Sequence, residues 1–165
     1  MKRRFQFIIA CVLLLTAGIA QVFANQTCKP VVGHFEALVV PPGQGHCPIS
    51  APFCTAGRVW GGIQGNYQFV MTAAIPSVTI GGGVPTIFFF TGRSTILLRS
   101  DDQLLGTDTG SIDLPPGLGG FASLITFTGG TGEMSGATGQ IRLRGEFNAA
   151  EATTNGDYIG TLCTP

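Results

Sequence analysis

The sequence predicts an all-β protein in which eight or nine short antiparallel strands form a barrel or a sandwich. Three observations support this class: apolar and polar residues alternate along several segments, turn-forming residues separate these segments, and 25 of the 165 residues are glycine. Charged residues make up only 11% of the chain, which is too few for the Glu- and Lys-rich composition of helical bundles. Domains typically hold about 100–200 residues, so a single domain is expected.

Residues 1–24 are predicted to form a helical secretory signal peptide. Three basic residues at positions 2–4 precede an apolar run that extends to Ile19, and Val22-Phe23-Ala24 satisfies the small-residue rule for cleavage. The run is shorter than the roughly 20 residues that a membrane span needs, so no stable anchor is expected after cleavage. A lipoprotein start at Cys11 is not favoured, because the apolar stretch continues well past this cysteine.

Residues 25–165 are then expected to form one secreted or periplasmic β domain. The leader takes three of the nine basic residues with it, so six Lys and Arg remain beside nine Asp and Glu, a net charge of −3. A mildly acidic domain has no charge-based reason to bind nucleic acid or anionic lipid. The composition also excludes a disordered chain, which requires low hydrophobicity.

The domain keeps four cysteines, an even number that favours disulfides in an oxidising compartment. Cys47 and Cys54 flank a short Pro-rich loop that a bridge would clamp, and Cys28 and Cys163 lie near the two ends of the domain. We therefore predict the pairs Cys47–Cys54 and Cys28–Cys163. A zinc site is the competing interpretation, but the metal-binding CxxC and HxxxH spacings are absent from the sequence.

The clearest predicted strand is 140–147, where Ile141, Leu143 and Phe147 share one face and polar side chains occupy the other. This period of two is typical of a half-buried strand. Runs rich in Gly, Pro, Asp and Asn mark the turns. The predicted strands are 31–40, 57–63, 66–71, 86–91, 94–99, 104–114, 122–128, 140–147 and 157–163.

Two of these segments, 87–90 and 96–98, are apolar on both faces. One face of a strand packs against the core, so the other must be covered by something else. An interface between copies of the chain is the first expectation, and a covering loop or terminal segment is the second.

A glycine-rich segment at 127–139, FTGGTGEMSGATG, resembles the TGGTGxFxGAxG hairpin of the allene oxide cyclase barrel-like proteins and the related dirigent proteins. Met134 stands where the family usually has an aromatic residue. Segments 47–57, 119–124 and 158–163 are similar to exported bacterial members. A phosphate-binding loop is not favoured, because the Lys and the helix that such a loop requires do not follow.

The resemblance implies an eight-stranded antiparallel up-and-down barrel, often a trimer, with a central cavity for a small apolar or aromatic molecule. In plant relatives this cavity steers cyclisation or radical coupling. Outside the hairpin the chain offers no catalytic motif that can be aligned with the family, so no catalytic residue is assigned and enzymatic activity stays open.

Several residues are candidates for catalysis or ligand binding, but for each of them a purely structural role is favoured. His34 and Glu36 share a strand face that the alternation places outside. Asp101-Asp102 is predicted to be a solvated turn. Arg142, Arg144 and Glu146 are expected to pair on the surface. Trp60, Tyr67 and Tyr158 are expected in the core, with the lining of a cavity as the alternative.

The expected function is therefore an exported barrel that acts as a binding or structural module, without cofactor or metal. The alternative is an isomerase or cyclase related to allene oxide cyclase, or a dirigent-like activity. An outer-membrane barrel is disfavoured, because the strands show no uniform lipid-facing band. A serine-hydrolase triad has no support either, since no G-x-S-x-G motif is present.

Overall fold

The computed structural model describes residues 26–77, 83–114 and 118–165 as one closed barrel of eight antiparallel strands. The predicted signal peptide, 1–24, lies outside these described residues. Each strand pairs with its sequence neighbours, and β1 pairs with β8 to close the barrel. The strands are β1 Thr27–Val39, β2 Cys54–Gly61, β3 Gly65–Pro76, β4 Ile87–Leu98, β5 Gln103–Asp113, β6 Leu118–Gly130, β7 Thr138–Asn148 and β8 Thr153–Thr164. The all-β class and the up-and-down barrel are thus confirmed.

One pair of predicted strands is wrong: 86–91 and 94–99 belong to the single strand β4. Gly92, one of the two residues between them, faces inward and lies under the ring of Phe69. A Cβ atom at Gly92 would stand 2.3 Å from Phe69 Cε2, far inside van der Waals contact. Gly92 is therefore a packing position in a continuous strand and not a turn, which reduces the nine candidate segments to eight strands.

Side chains alternate between the interior and the outside as the sequence predicted. In β1, Phe35 and Ala37 are buried, whereas His34 and Glu36 are exposed. The half of the barrel near Cys28, which we call the Cys28 end, is filled by large apolar residues. These include Val31, Val59, Ile63, Ile96, Leu104, Ile125, Phe127, Ile141 and Tyr158. This end of the lumen is therefore closed by packing.

Both predicted disulfides are present. Cys28 and Cys163 are direct cross-strand partners on β1 and β8, so their bond joins the first strand to the last. Cys47–Cys54 ties the loop after β1 to the start of β2. With all four thiols in disulfides, the zinc alternative has no cysteine ligands left. Disulfides of this kind are typical of oxidising compartments.

The glycine-rich segment forms the hairpin between β6 and β7, with a short 3₁₀ turn at Gly132–Met134. Its backbone takes positive φ at four glycines, 129, 132, 136 and 139, a conformation that other residues rarely adopt. Asp102 accepts hydrogen bonds from the Glu133 amide at 3.4 Å and the Ser100 hydroxyl at 3.1 Å. Asp101 is exposed at the turn, as predicted, whereas Asp102 is half-buried against the hairpin.

The outer face of β3 and β4 carries exposed apolar side chains. Ile75 and Phe89 are cross-strand partners with 68% and 55% of their surface exposed, and Ile87 is 41% exposed. The second apolar face of 87–90 therefore exists, and the described residues do not cover it. In the described part of the chain, no helix is long and apolar enough to cross a membrane.

Candidate functional site

The barrel interior keeps a cavity of about 40 Å³ in the half opposite the Cys28 end, which we call the Cys54 end. A buried water needs roughly 10–15 Å³ by this measure, whereas ligand pockets usually measure about 300–1,000 Å³. The cavity therefore holds a few waters at most in this conformation. Its lining is mostly aromatic and consists of Phe35, Phe53, Thr55, Tyr67, Phe69, Met71, Phe90, Asp108, Ile112, Phe121, Ser123, Leu143, Phe147 and Thr154.

Three pairs of aromatic rings within the barrel make edge-to-face contacts. Phe35 packs on Phe121 with ring centroids 5.6 Å apart, and Phe69 packs on Phe90 at 5.5 Å. Phe53, from the loop before β2, packs on Phe147 at 5.6 Å. Edge-to-face pairs of this kind add about 0.5–1.5 kcal/mol beyond their area burial. The aromatic wall is thus a stable part of the core and not a loose opening.

A polar network crosses this aromatic lumen on three neighbouring strands. Ser94 on β4 donates a hydrogen bond of 3.1 Å to Asp108 Oδ2 on β5, and the Tyr67 hydroxyl on β3 lies 3.3 Å from Ser94 Oγ. Because the Ser94 proton points to Asp108, Tyr67 is the donor to Ser94. Only 2% of Asp108 is exposed, and its Oδ1 atom has no hydrogen-bond partner within the described residues.

Burial raises the pKa of Asp108 to about 6, although nearby donors oppose the shift. The Ser123 and Ser94 hydroxyls and the Thr109 amide lower this pKa, since they lie close enough to stabilise the carboxylate. Of the two hydroxyls, only that of Ser94 forms a hydrogen bond, and it goes to Oδ2, so Oδ1 stays unpaired among the described residues. Burial also raises the pKa of Tyr67, and the negative charge of Asp108 adds to that effect. Tyr67 therefore stays protonated as a donor, while Asp108 changes between acid and carboxylate near pH 6.

The other residues considered from the sequence lie elsewhere. Tyr67 lines the cavity and Tyr158 fills the core, but Trp60 is 39% exposed on the outer surface, so its predicted core position is wrong. His34 also lies outside, hydrogen-bonded through Nδ1 to Asp157. Neither Trp60 nor His34 therefore reaches the lumen.

The predicted surface ion pairing on β7 is also absent. Arg142 and Arg144 are exposed there as expected. Their guanidinium groups make no ion pair within 4.0 Å with Glu146 or another carboxylate of the described residues.

Asp108 and Ser94 were missed by the sequence analysis, although a signal for Asp108 exists. Residues 104, 106, 108, 110 and 112 read Leu, Gly, Asp, Gly and Ile, so the alternation that buries Leu104 and Ile112 also points Asp108 inward. A lone carboxylate on the apolar face of a strand is unusual, because burial of an unpaired charge is costly. Such a residue therefore indicates a buried acid.

Comparisons with protein-family models, with curated proteins and with solved structures each returned no match. Within the described ranges, no group of three His, Cys, Asp or Glu side chains comes together in a way that could hold a metal ion. The interpretation of the site therefore depends on its own geometry.

Proposed function

We propose that this protein is an exported binding module whose lumen takes a small aromatic or apolar molecule carrying one polar group. The observation that supports the proposal is Asp108: a buried carboxyl group with one oxygen unpaired, set in a phenylalanine-lined cavity. An unpaired buried polar atom costs about 1–3 kcal/mol, which a ligand hydroxyl bonded to Oδ1 would recover. The resemblance of 127–139 to allene oxide cyclase barrel-like proteins agrees with a ligand in this position.

Binding of such a molecule requires the cavity to widen. Phe53 is the aromatic side chain best placed to move, because it lies on the loop before β2 and is only half-buried, whereas Phe35 is fixed within β1 at 2% exposure. Entry is therefore proposed at the Cys54 end, where Phe53 meets Phe147. The closed packing around Tyr158 makes the Cys28 end unsuitable.

Calorimetric titration with phenol and with toluene tests the proposal, because the two molecules share a ring and differ in the hydroxyl group. We expect phenol to bind at least about tenfold more tightly, as one hydrogen bond is worth about 1.4 kcal/mol here. Asp108→Asn should reduce that preference, whereas Asp101→Asn, the same change at an exposed turn, should not. Failure of both molecules to bind, or an equal effect of the two substitutions, would contradict a lumenal site.

A second candidate function is an isomerase or cyclase activity in the same lumen, and the raised pKa of Asp108 favours it. An acid with a pKa of about 6 can give or take a proton near neutral pH, as general acid–base catalysis requires. Assays with a fatty-acid epoxide and with phenolic radicals address this activity. Turnover that Asp108→Asn abolishes would support it. If neither substrate is turned over, the enzymatic proposal fails and only the binding role remains.

We also propose that the protein forms a trimer, as the family resemblance implies, and that the exposed apolar face around Ile75 and Phe89 is the contact between its chains. Contiguous apolar side chains on a sheet face commonly mark a contact between chains. Light scattering on the purified protein should give three times the mass of one chain. Phe89→Asp should shift this mass toward one chain, and a monomeric wild type would refute the trimer.

A further inference from the structure

A row of side chains crosses the outer face of the barrel at right angles to the strands. Glu36 on β1 pairs in register with Arg58 on β2, Arg58 pairs with Asn66 on β3, and Asn66 pairs with Leu97 on β4. Neighbouring strands lie about 4.8 Å apart, so the row spans about 14 Å. Trp60 follows two residues after Arg58 and therefore lies on the same outer face.

This row lines two recesses that share residues. One recess, of about 530 Å³, lies between Glu36, Arg58, Trp60, Asn66 and the end of β4. The second, of about 420 Å³, also contains Glu36 and Arg58. It continues to Asn155, the register partner of Glu36 on β8.

The two recesses share Glu36 and Arg58 and together extend over five strands, about 19 Å at a strand spacing of about 4.8 Å. We call the pair the transverse groove. Its length suits a chain-like ligand better than a single small molecule.

Gln64, at the edge of the groove, donates a hydrogen bond of 3.3 Å to the Gly61 carbonyl, but the charged side chains of the groove and Asn66 have no partners in the described part of the chain. Glu36 and Arg58 are neighbours in register, yet no ion pair within 4.0 Å joins them. The side chains of Asn66 and Arg99 likewise take part in no hydrogen bond there. The groove thus presents a carboxylate acceptor, two guanidinium donors and an amide that can do both.

We propose that this groove binds an oligosaccharide of pyranose sugars. Each sugar hydroxyl both donates and accepts hydrogen bonds, which matches the mixture of unpaired acceptors and donors offered by Glu36, Arg58 and Asn66. The C–H face of a pyranose packs on an aromatic ring, and Trp60 offers a large apolar ring beside these polar groups. The length of the groove accommodates several sugar units in line. The site is separate from the lumen and does not depend on a ligand there.

The chain is well suited to a direct test, because Trp60 is its only tryptophan. Tryptophan emission then reports on the groove alone. Cellohexaose and a galacturonate hexamer serve as neutral and acidic probes of similar length. We expect at least one of them to change the emission of Trp60 in a saturable manner, and titration calorimetry should give the same affinity.

Variants then locate the binding. Trp60→Ala should lower the affinity for the probe by about tenfold or more. Trp60→Phe, which keeps an aromatic ring, should retain most of the affinity. Asn66→Ala should weaken binding, and Gln68→Ala, on the same strand and the same outer face but outside the groove, should not. Circular dichroism should show that these surface variants fold.

Two results would overturn the proposal: no saturable binding of either probe, or binding that Trp60→Ala leaves unchanged. Asp108→Asn should leave the affinity for the oligosaccharide as it is, because Asp108 lies inside the barrel. A loss of oligosaccharide binding in this variant would place the ligand in the lumen and refute the groove. A failure of the lumenal proposal therefore remains distinguishable from a failure of this one.

Discussion

The hydroxyl group of Tyr158 holds both backbone polar groups of Ile63 inside the barrel. It accepts a hydrogen bond of 2.7 Å from the Ile63 amide, and the Ile63 carbonyl accepts one from it at 3.0 Å. Ile63 lies in the turn between β2 and β3, while Tyr158 lies on β8, so one side chain from the last strand fixes a turn formed early in the chain. This contact closes the Cys28 end of the lumen.

Replacement of Tyr158 by Phe should therefore destabilise the fold. The change leaves the Ile63 amide and carbonyl buried without their partner, which costs about 1–3 kcal/mol. Tyr67→Phe is the matched control, because it removes a single hydrogen bond of 3.3 Å to Ser94 and should cost less. Urea unfolding of both variants measures the difference, and an equal or larger loss in Tyr67→Phe would contradict the role given to Tyr158.

The two disulfides should differ in their contribution to stability. Cys28–Cys163 closes a loop with a sequence separation of 135, whereas Cys47–Cys54 closes one of 7. Loop-closure entropy then gives about 5 kcal/mol for the first bond and about 2 kcal/mol for the second. Paired Cys→Ser variants, unfolded in urea without reductant, provide the comparison. A larger loss in the Cys47/Cys54 variant would show that native-state contacts outweigh chain entropy.

The alternation of side chains predicted the strands and the all-β class, but it left a barrel and a sandwich open, and the closed barrel was implied by the resemblance of 127–139. Ile141, Leu143 and Phe147 lie inside as their spacing required. The candidate site was harder to predict, because it is assembled across strands: Tyr67, Ser94 and Asp108 come from three strands and meet only once the register is fixed. Trp60 was misplaced for a related reason, since hydrophobicity favoured the core while its position in the alternation set it outside.

Gly92 explains why β4 is one strand, and it gives a sharp packing test. A Cβ atom at Gly92 would collide with the ring of Phe69, while one at Gly120 would meet its nearest atom at an ordinary 3.7 Å. Gly92→Ala should thus destabilise the barrel by about 1–3 kcal/mol, the usual cost of overpacking. Gly120→Ala should change stability little. Thermal unfolding of the two variants checks this. Equal melting temperatures would show that the Phe69 ring can move aside without loss of stability.

The buried Asp108 should make stability depend on pH in an uncommon direction. Its pKa is about 6 in the folded protein, against about 3.9 for an unfolded chain, so the folded state binds the proton more tightly. The stabilising effect of this proton is complete below about pH 4 and is lost as the pH rises through 6, a change of about 3 kcal/mol in unfolding free energy. Above that range the contribution is constant.

Urea unfolding between pH 4 and 7 measures this dependence when wild type and Asp108→Asn are compared. The difference between the two isolates Asp108, because every other titratable group is common to both proteins. We expect the unfolding free energy of Asp108→Asn to lack this decline. Relative to the wild type, the variant should therefore become more stable as the pH rises from 4 to 6. Asp101→Asn, at an exposed turn, should follow the wild type. Parallel curves for wild type and Asp108→Asn would mean that Asp108 is already ionised at pH 4 and is not the buried acid that the proposed lumenal chemistry requires.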